Sequence, residues 1–224
     1  MLQFLPMAER ILFRSLDVDD TLIDRGRTLR VIGLAGSRLR REHYRVVSLD
    51  SFPNVNHDPV NIPIRSPLEK LSLALHARRR LLDGVRYALS RTTSNENSRN
   101  VVNSGRSNKQ EWVEMTIGQF YRAHIDEYIE SESIFKQGFA FKPDCVSSTE
   151  SKVDVIRLLT RDDNDVEHYD DDPRTAIVIA DLFPNVKVYL VHHTSTGLII
   201  PRSQLRLYPN LYVVSNIGEG IDRS

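Results

Sequence analysis

The chain has 224 residues, of which 40% are hydrophobic and 27% charged, and its 30 basic and 30 acidic side chains give a formal net charge of zero. This length suits one α/β domain with an insertion, and the composition is that of a globular rather than a disordered protein. No apolar run approaches the ~20 residues of a membrane span, and the N-terminus lacks the regions of a secretory signal, so we expect no membrane partner. The single cysteine, Cys145, excludes an internal disulfide and predicts a reducing, cytoplasmic location; we expect it to be a packing residue.

The first predicted element is a buried strand that ends in carboxylates. Residues 11–16 form an apolar run of strand length, and Asp17, Asp19 and Thr21 follow it with the spacing D-x-D-x-T. In open α/β folds, catalytic groups lie just beyond the carboxyl ends of such strands. Two carboxylates held this close repel each other unless a cation or a shared proton compensates them, which suits a Mg²⁺ site beside a nucleophilic Asp. An Asp-rich turn without chemistry would contain the same residues.

The next segment is rich in arginine. Residues 25–45 hold seven arginines against one acidic residue. Residues 1–110 hold 19 basic and 11 acidic side chains, a net charge of +8, and residues 111–224 carry the opposite net charge of −8. Two short apolar runs, 28–34 and 44–49, predict a β-hairpin flap, and a proline-rich connector with a short strand at 60–64 follows. The basic run is either a solvated face or a surface for an anionic substrate.

Several start signals predict a helix at Ser66. Ser66 suits an N-cap, Pro67 suits the first helical position, and Glu69 completes a capping box. Apolar residues recur at helical spacing over residues 68–89, which predicts one long helix packed on the sheet. We expect His76, on this helix, to be structural or exposed rather than catalytic.

A second strand is predicted to end in a turn that could hold phosphate. The apolar residues 101–102 lead into Ser104, Gly105 and Arg106, and Gly105 permits a tight turn. We expect Asn108 to cap the long helix that follows. A hydroxyl and backbone N–H groups at a strand-to-helix turn form a phosphate cradle, although a Ser/Gly turn without a ligand would have the same sequence.

Two later helix starts carry charged residues. Ser147 and Glu150 predict a capping box, and Lys152 lies early in that helix, where the macrodipole disfavours a cation. Lys152 therefore either points to solvent or compensates a local anion. Residues 166–169 predict a strand followed by three aspartates and a proline, in which Asp172 suits an N-cap.

Asp170 and Asp171 are thereby left at the end of that strand. Adjacent carboxylates are costly unless they are exposed or bind a metal, and carboxylate oxygens are hard ligands of the kind that Mg²⁺ selects. Residues 186–191 then predict a further core strand, and residues 211–214 extend the sheet or cover its edge.

These four strand ends resemble, in order, the four motifs of the haloacid dehalogenase superfamily, which consists mostly of Mg²⁺-dependent phosphohydrolases. The resemblance implies an α/β fold, a Rossmann-like three-layer sandwich with a central parallel sheet and a β-hairpin flap inserted after the first strand. Residues 1–224 would form one domain with the flap or a small insertion at about 25–65. The layout resembles cap-less or small-cap members, and the S-G-R and Y-D-D forms resemble, more weakly, phosphatase domains linked to nucleic-acid end repair.

The resemblance also implies roles for individual residues in a phosphomonoester hydrolase. Asp17 would form an aspartyl-phosphate, Asp19 would act as acid and base, and Thr21 would order the turn. The phosphate-binding residues would be Ser104, Gly105, Arg106 and Lys152, with Lys142 a weaker alternative to Lys152. The Mg²⁺ ligands would be Asp17, the Asp19 carbonyl, Asp170 and Asp171.

The substrate and two other functions remain open on the sequence. The arginine-rich segment favours a phosphate-rich ligand, either a phosphorylated small molecule such as a nucleotide or a nucleic-acid end. A non-catalytic binding module could keep the same fold. A phospho-accepting signalling domain also uses Asp, Thr, Lys and Mg²⁺, although the second Asp of D-x-D-x-T favours a hydrolase because it supplies an acid and base.

Overall fold

A parallel β-sheet forms the centre of the computed structural model, which describes residues 10–24, 56–93, 97–130, 135–192 and 206–223. Its strands are β1 (Leu12–Leu16), β2 (Ser98–Ser107), β3 (Phe139–Lys142), β4 (Asp165–Asp170), β5 (Lys187–Val191) and β6 (Leu211–Val214). All neighbouring strands are parallel, in the order β3-β2-β1-β4-β5-β6. The strand order steps outward in both directions from β1, so the carboxyl ends of β1, β2 and β4 are adjacent.

Helices cover both faces of this sheet. They are α1 (Pro67–Ala77), α2 (Val85–Thr92), α3 (Gln110–Ala123), α4 (Ser148–Leu159), α5 (Pro173–Leu182) and α6 (Ile217–Asp222). One hydrophobic core lies under α2, α3 and α6, and a second lies under α4 and α5. Of the buried strands, β5 has a continuous apolar run, whereas β1 and β4 also bury polar side chains such as Arg14 and Glu167, which pair with each other. This arrangement confirms the predicted Rossmann-like three-layer sandwich.

Local capping signals in the sequence are confirmed where they begin α4 and α5. The Ser147 side chain accepts a hydrogen bond from the Glu150 backbone, and the Glu150 side chain accepts one from the Ser147 backbone. Asp172 caps α5 through the Arg174 N–H, with Pro173 at the first helical position. Both caps satisfy N–H groups that have no partner inside the helix, which fixes where each helix leaves the sheet edge.

The long helix predicted over residues 66–89 is wrong, because two helices occupy this region. α1 ends at Ala77, and residues 78–84, the connector after α1, pair with the turn after β1. The Leu82 N–H donates to Leu22 O, and Leu81 forms a bridge with Ile23. These tertiary hydrogen bonds require extended backbone, which overrides the helical periodicity. Leu68, on the face predicted to be buried, is consequently 78% exposed.

Three smaller predictions are also wrong. Instead of a strand at 60–64, Val60 forms only an isolated bridge with Lys109. Asn108 does not cap α3, since its amide donates to the carbonyls of Asn56 and Asp58, and Lys109 occupies the N-cap position. Cys145 is exposed and therefore is not a packing residue.

Two further features concern the chain as a whole. The predicted hairpin at 28–34 and 44–49 lies outside the described residues, so the flap stays a prediction, as does the single-domain division. Within the described ranges, no helix is long and apolar enough to cross a membrane.

Candidate functional site

Three carboxylates meet at the carboxyl ends of β1 and β4. Leu16 is paired with Tyr169 in the parallel register, so Asp17 and Asp170 leave the sheet side by side, and the Asp17 N–H donates to Tyr169 O at 2.9 Å. Carboxylate oxygens of Asp17, Asp170 and Asp171 all lie within 4.8 Å of one another. Asp17 and Asp170 are buried, and Asp171 is half-buried. We call these three residues the acidic cluster.

Lys152 lies between two members of the acidic cluster. Its Nζ is 2.9 Å from Asp17 Oδ1 and 2.7 Å from Asp170 Oδ2, and the side chain is buried. Burial lowers the pKa of Lys152, but the charges of Asp17 and Asp170 outweigh it and raise the pKa above its usual value. The alternative lysine, Lys142, points elsewhere and donates to the carbonyls of Pro143 and Val146.

The pKa values of the two buried aspartates are shifted in opposite directions. Burial raises the pKa of Asp17 to about 7, against the lowering effect of Lys152 and with a further raising effect of Asp170 and Asp19. Burial also raises the pKa of Asp170, but Lys152 and a hydrogen bond from His168 outweigh it and hold that pKa well below its usual range. Lys152 and His168 therefore outweigh the effect of burial on the pKa of Asp170, whereas Lys152 does not outweigh it for Asp17. A second cation near Asp17 would keep it ionised.

A series of hydrogen bonds behind the acidic cluster holds Asp170, and no sequence motif indicated it. The Asn103 amide donates to Ser15 Oγ at 3.0 Å, Ser15 Oγ lies 3.0 Å from His168 Nδ1, and His168 Nε2 lies 3.1 Å from Asp170 Oδ2. Because the ionised carboxylate can only accept, Nε2 carries the proton and Nδ1 accepts from the Ser15 hydroxyl. Burial lowers the pKa of His168 and keeps the ring neutral, despite Asp170.

Asp19 lies outside the acidic cluster and forms an ion pair with Arg106. Arg106 Nη2 is 2.6 Å from Asp19 Oδ1, and Nε is 3.2 Å from Oδ2, which is a bidentate geometry. The remaining guanidinium nitrogen donates to Thr116 Oγ1 at 3.0 Å and to Gln119 Oε1 at 2.7 Å. Arg106, predicted to bind phosphate, thus directs its hydrogen bonds to protein groups, and its phosphate-binding role stays a prediction.

His76 also approaches Asp19. Its Nε2 is 3.9 Å from Asp19 Oδ2, its Nδ1 donates to Ser72 O at 2.8 Å, and its ring packs edge-to-face on Trp112 with centroids 5.2 Å apart. The prediction of a structural or exposed residue missed this contact. No local signal could have revealed it, because Asp19 is distant in the sequence and the contact depends on tertiary packing, which includes that of α1 on α3.

The predicted phosphate-binding turn is part of strand β2. Val102 is paired with Leu16, so the buried Ser104 lies level with Val18 in the loop after Asp17, and Ser104 Oγ accepts from the Arg106 N–H at 3.1 Å. Gly105 is not in a tight turn. A Cβ at Gly105 would meet the Ser148 hydroxyl, which would have to rotate away, so the glycine leaves room for the close approach of α4.

Thr21 occupies the turn that follows Asp19. It is 1% exposed, and its hydroxyl has no hydrogen-bond partner among the described residues. The turn is closed by hydrogen bonds from the Leu22 and Ile23 N–H groups to Val18 O. Thr21 can therefore order the turn, as predicted, through the packing of its side chain rather than through a hydrogen bond of its hydroxyl.

The site has an excess of negative charge. The carboxylates of Asp17, Asp19, Asp170 and Asp171 stand against the two cations of Lys152 and Arg106, a formal balance of −2. His168 is neutral, for the reason given above. An anionic substrate would be repelled by this balance, whereas a divalent cation would cancel it.

Comparison with known proteins identifies the fold. No protein-family model matches the sequence, and no curated protein matches it. Among solved structures, a protein from Burkholderia xenovorans LB400 classed as a haloacid dehalogenase-like hydrolase is similar at 12% identity and a TM-score of 0.51, over 96% of each chain. A haloacid dehalogenase-like family hydrolase from Streptococcus pneumoniae is similar at 8% identity and a TM-score of 0.51, over 96% of this chain and 97% of its own.

A third solved structure comes from an enzyme with a stated reaction partner. It is the L-2-haloacid dehalogenase from Xanthobacter autotrophicus with chloropropionic acid covalently bound, at 12% identity and a TM-score of 0.50, over 95% of this chain and 97% of its own. Identities this low show a shared fold and leave the reaction to be argued from the site itself.

Proposed function

We propose that this chain, which has the haloacid dehalogenase-like fold, is a Mg²⁺-dependent hydrolase of phosphomonoesters with Asp17 as its nucleophile. The observation that carries the proposal is the acidic cluster, whose carboxylate oxygens lie within 4.8 Å of one another beside Lys152. These oxygens are hard ligands, and the formal balance of −2 around them is what one divalent cation would neutralise.

The donor set fits a Mg²⁺ ion. Asp17, Asp170 and Asp171 would hold it with their carboxylates, and Asp19 would add its backbone carbonyl. When bound, the ion would offset the negative charge of the carboxylates and of the phosphate. The raised pKa of Asp17, about 7, supports this fit because burial leaves that carboxylate short of positive charge.

The residues then divide the reaction into two steps. The Asp17 carboxylate attacks phosphorus, an aspartyl-phosphate forms, and the bond to the leaving oxygen breaks. Asp19, released from its ion pair with Arg106 and protonated, would donate a proton to that oxygen, and the resulting carboxylate would afterwards accept one from the water that hydrolyses the aspartyl-phosphate. Lys152 and the Ser104 hydroxyl would hold the non-bridging oxygens of the phosphate.

Dehalogenation is a second candidate, because one similar structure is a haloacid dehalogenase. A halide leaves as a stable anion and requires no proton, so Asp19 would have no catalytic role. A monoanionic haloacid would also not require the cation that the acidic cluster favours. Both features therefore support phosphate ester cleavage over carbon–halogen cleavage.

Phosphate release from para-nitrophenyl phosphate, measured with Mg²⁺ and with EDTA, tests the proposal. We expect Mg²⁺-dependent turnover that Asp17→Asn abolishes. Asp172→Asn is the matched control, because it makes the same change two residues beyond Asp170 and Asn caps a helix as well as Asp does. Chloride release from 2-chloropropionate, assayed in parallel, should be absent.

Two further measurements separate the alternatives. Acid-quenched protein would carry phosphate in the wild type and none in Asp17→Asn. A stable phosphoprotein without turnover would identify a phospho-accepting domain instead. Absence of turnover together with absence of Mg²⁺ binding by calorimetry would refute the proposal and identify a non-catalytic module.

A further inference from the structure

A cavity of about 320 Å³ lies between the connector after α1, the turn after β1 and the end of α3. Three arginines line it, namely Arg79, Arg80 and Arg122, and no acidic residue is among its described lining residues. We call it the arginine cavity. Its volume is at the small end of the ~300–1,000 Å³ typical of ligand pockets, which suits a compact ligand.

The guanidinium groups of these three arginines have no hydrogen-bond or ion-pair partner in the part of the chain that the structure describes. Arg79 Nε is, in addition, fully buried. Two exposed arginines elsewhere are paired, Arg91 with Asp222 and Arg223 with Glu219. Arg80 and Arg122 are exposed, whereas Arg79 is half-buried. A buried donor without an acceptor is destabilising, so Arg79 Nε favours a bound anion in the arginine cavity.

The backbone around the arginine cavity is well supported, so the arginines converge for structural reasons. The Asp24 N–H donates to Arg80 O at 2.9 Å, and Leu81 bridges to Ile23. The Gln119 amide donates to His76 O at 2.7 Å. These contacts fix the connector against the turn and against α3, which brings residues distant in the sequence to one cavity.

We propose that the arginine cavity binds a diphosphate or two closely spaced phosphate groups. Planar guanidinium groups match phosphate oxygens in bidentate pairs, and three of them supply the charge for more than one phosphate. Ile23, Leu81 and Ala123 provide apolar walls that strengthen these charge interactions by excluding water.

Gln119 connects the arginine cavity to the candidate active site. The same side chain that lines the cavity accepts a hydrogen bond from Arg106 at 2.7 Å, and Arg106 holds Asp19. Two side chains, those of Gln119 and Arg106, therefore link the arginine cavity to the proposed catalytic acid, Asp19. A phosphate-rich molecule bound here would lie in the same region as the acid, although its binding does not depend on catalysis.

Calorimetric titration with inorganic pyrophosphate, in EDTA and at low salt, tests the proposal. EDTA removes divalent cations, so the negative balance around the acidic cluster repels pyrophosphate, and the cavity variants then distinguish binding in the arginine cavity from binding by the arginine-rich segment at residues 25–45. We expect one site in the wild type and a roughly 10-fold loss of affinity in Arg79→Gln and in Arg122→Gln, the effect of losing a charge-assisted hydrogen bond. Unchanged melting temperatures would confirm that both variants fold.

Arg78→Gln is the matched control, because it removes the same charge from the adjacent residue, which is exposed and does not line the cavity. Its affinity should stay within about 2-fold of the wild type, as expected for a solvated charge. Absence of binding in the wild type, or an equal loss in Arg78→Gln and Arg79→Gln, would overturn the proposal.

Competition identifies the source of the phosphates. Displacement of pyrophosphate by a 5′-phosphorylated oligothymidylate, with a steep salt dependence, would identify a nucleic-acid backbone. Displacement by a small sugar bisphosphate alone would identify a metabolite, and failure of both to compete would count against the assigned ligand class. Because no step requires Mg²⁺ or turnover, this result and the phosphatase assay can fail separately.

Discussion

Replacing Arg106 by glutamine would remove the ion pair that orients Asp19. The two side chains are 2% and 19% exposed, and two hydrogen bonds of 2.6 and 3.2 Å join them. Removing one partner of a buried ion pair costs about 3–5 kcal/mol, because the other charge is left uncompensated. Asp19 keeps some contact with solvent, so we expect about 3 kcal/mol, the lower end of that range. For a chain of this size, that corresponds to a fall of about 6–12 °C in melting temperature.

A double-mutant cycle of Arg106→Gln and Asp19→Asn, measured by urea unfolding, separates this pair from the rest of the site. Because the partners compensate each other, the double variant should cost about 1–3 kcal/mol less than the sum of the single variants. Arg91→Gln is the matched control, since it breaks an exposed pair with Asp222 and should cost at most about 1 kcal/mol. An additive cycle, or equal losses in Arg106→Gln and Arg91→Gln, would refute the assigned interaction.

A kinetic measurement distinguishes positioning of Asp19 from direct phosphate binding by Arg106. If Arg106 positions the acid, Arg106→Gln should lower kcat more for an alkyl phosphate than for para-nitrophenyl phosphate, because the nitrophenolate leaves with little need of a proton. If Arg106 binds phosphate, both substrates should be affected equally, mainly in KM. Equal effects would therefore favour the role predicted from the S-G-R sequence over the role that the geometry supports.

Three other residues give predictions that can be checked independently. His168→Phe breaks the series of hydrogen bonds that holds Asp170, so the Mg²⁺ concentration for half-maximal thermal stabilisation should rise roughly 10-fold or more, and an unchanged value would contradict the role of these hydrogen bonds. Gly105→Ala should destabilise by about 1–3 kcal/mol, and Ser148→Ala should restore part of the loss by removing the atom that the new methyl group meets. Burial raises the pKa of Asp154, but its hydrogen bond to His57 outweighs this and lowers the pKa below 3.8. Its stabilising effect is therefore complete above that value and is lost as the pH falls through the folded-state pKa, so the stability difference between wild type and Asp154→Asn should shrink in acid.

The position of the acidic cluster followed from the sequence because it depends on local structure and one general rule. An apolar run fixes where each strand ends, and caps such as Asp172 fix where the next helix begins. Parallel strands then bring their carboxyl ends to one edge of the sheet. Asp17 and Asp170 need only that rule to meet. Lys152 lies on a helix, where the sequence left exposure to solvent open, and its place beside the aspartates was only implied by the resemblance to the haloacid dehalogenase motifs.

The partners of Asp19 could not be predicted in the same way. His76 reaches Asp19 only because the chain turns after Ala77 and pairs with Leu22 and Ile23, and the sequence pattern favoured a continuous helix there. The hydrogen bonds that join His168 to Ser15 and Asp170 could not be predicted either. Together with Asn103, the residues that they join come from three different strands, and no spacing within one strand signals a hydrogen bond to another.

Arg106 shows how a sequence motif can leave a tertiary contact unseen. Its place after Ser104 suggested a phosphate ligand, yet its donors are directed to Asp19, Thr116 and Gln119. An arginine can bind a phosphate only with donors that are not already used, and this depends on the distant residues of α3 that pack around it. Among the described residues, three guanidinium groups without such partners line the arginine cavity, on the connector after α1 and at the end of α3, and no motif in the sequence indicated a site there.

The distribution of charge therefore favours a particular kind of ligand. The candidate active site has a formal balance of −2, whereas the arginine cavity has three positive charges. The proposed divalent cation at the first site would cancel its negative balance and so permit a phosphate to bind there, while the second site would attract phosphate without any metal. A ligand with several phosphates can satisfy both sites, whereas an uncharged or singly charged ligand can satisfy neither. Activity towards a monoester should therefore rise when the same molecule carries further phosphates, and Arg79→Gln should remove this advantage while leaving para-nitrophenyl phosphate turnover unchanged.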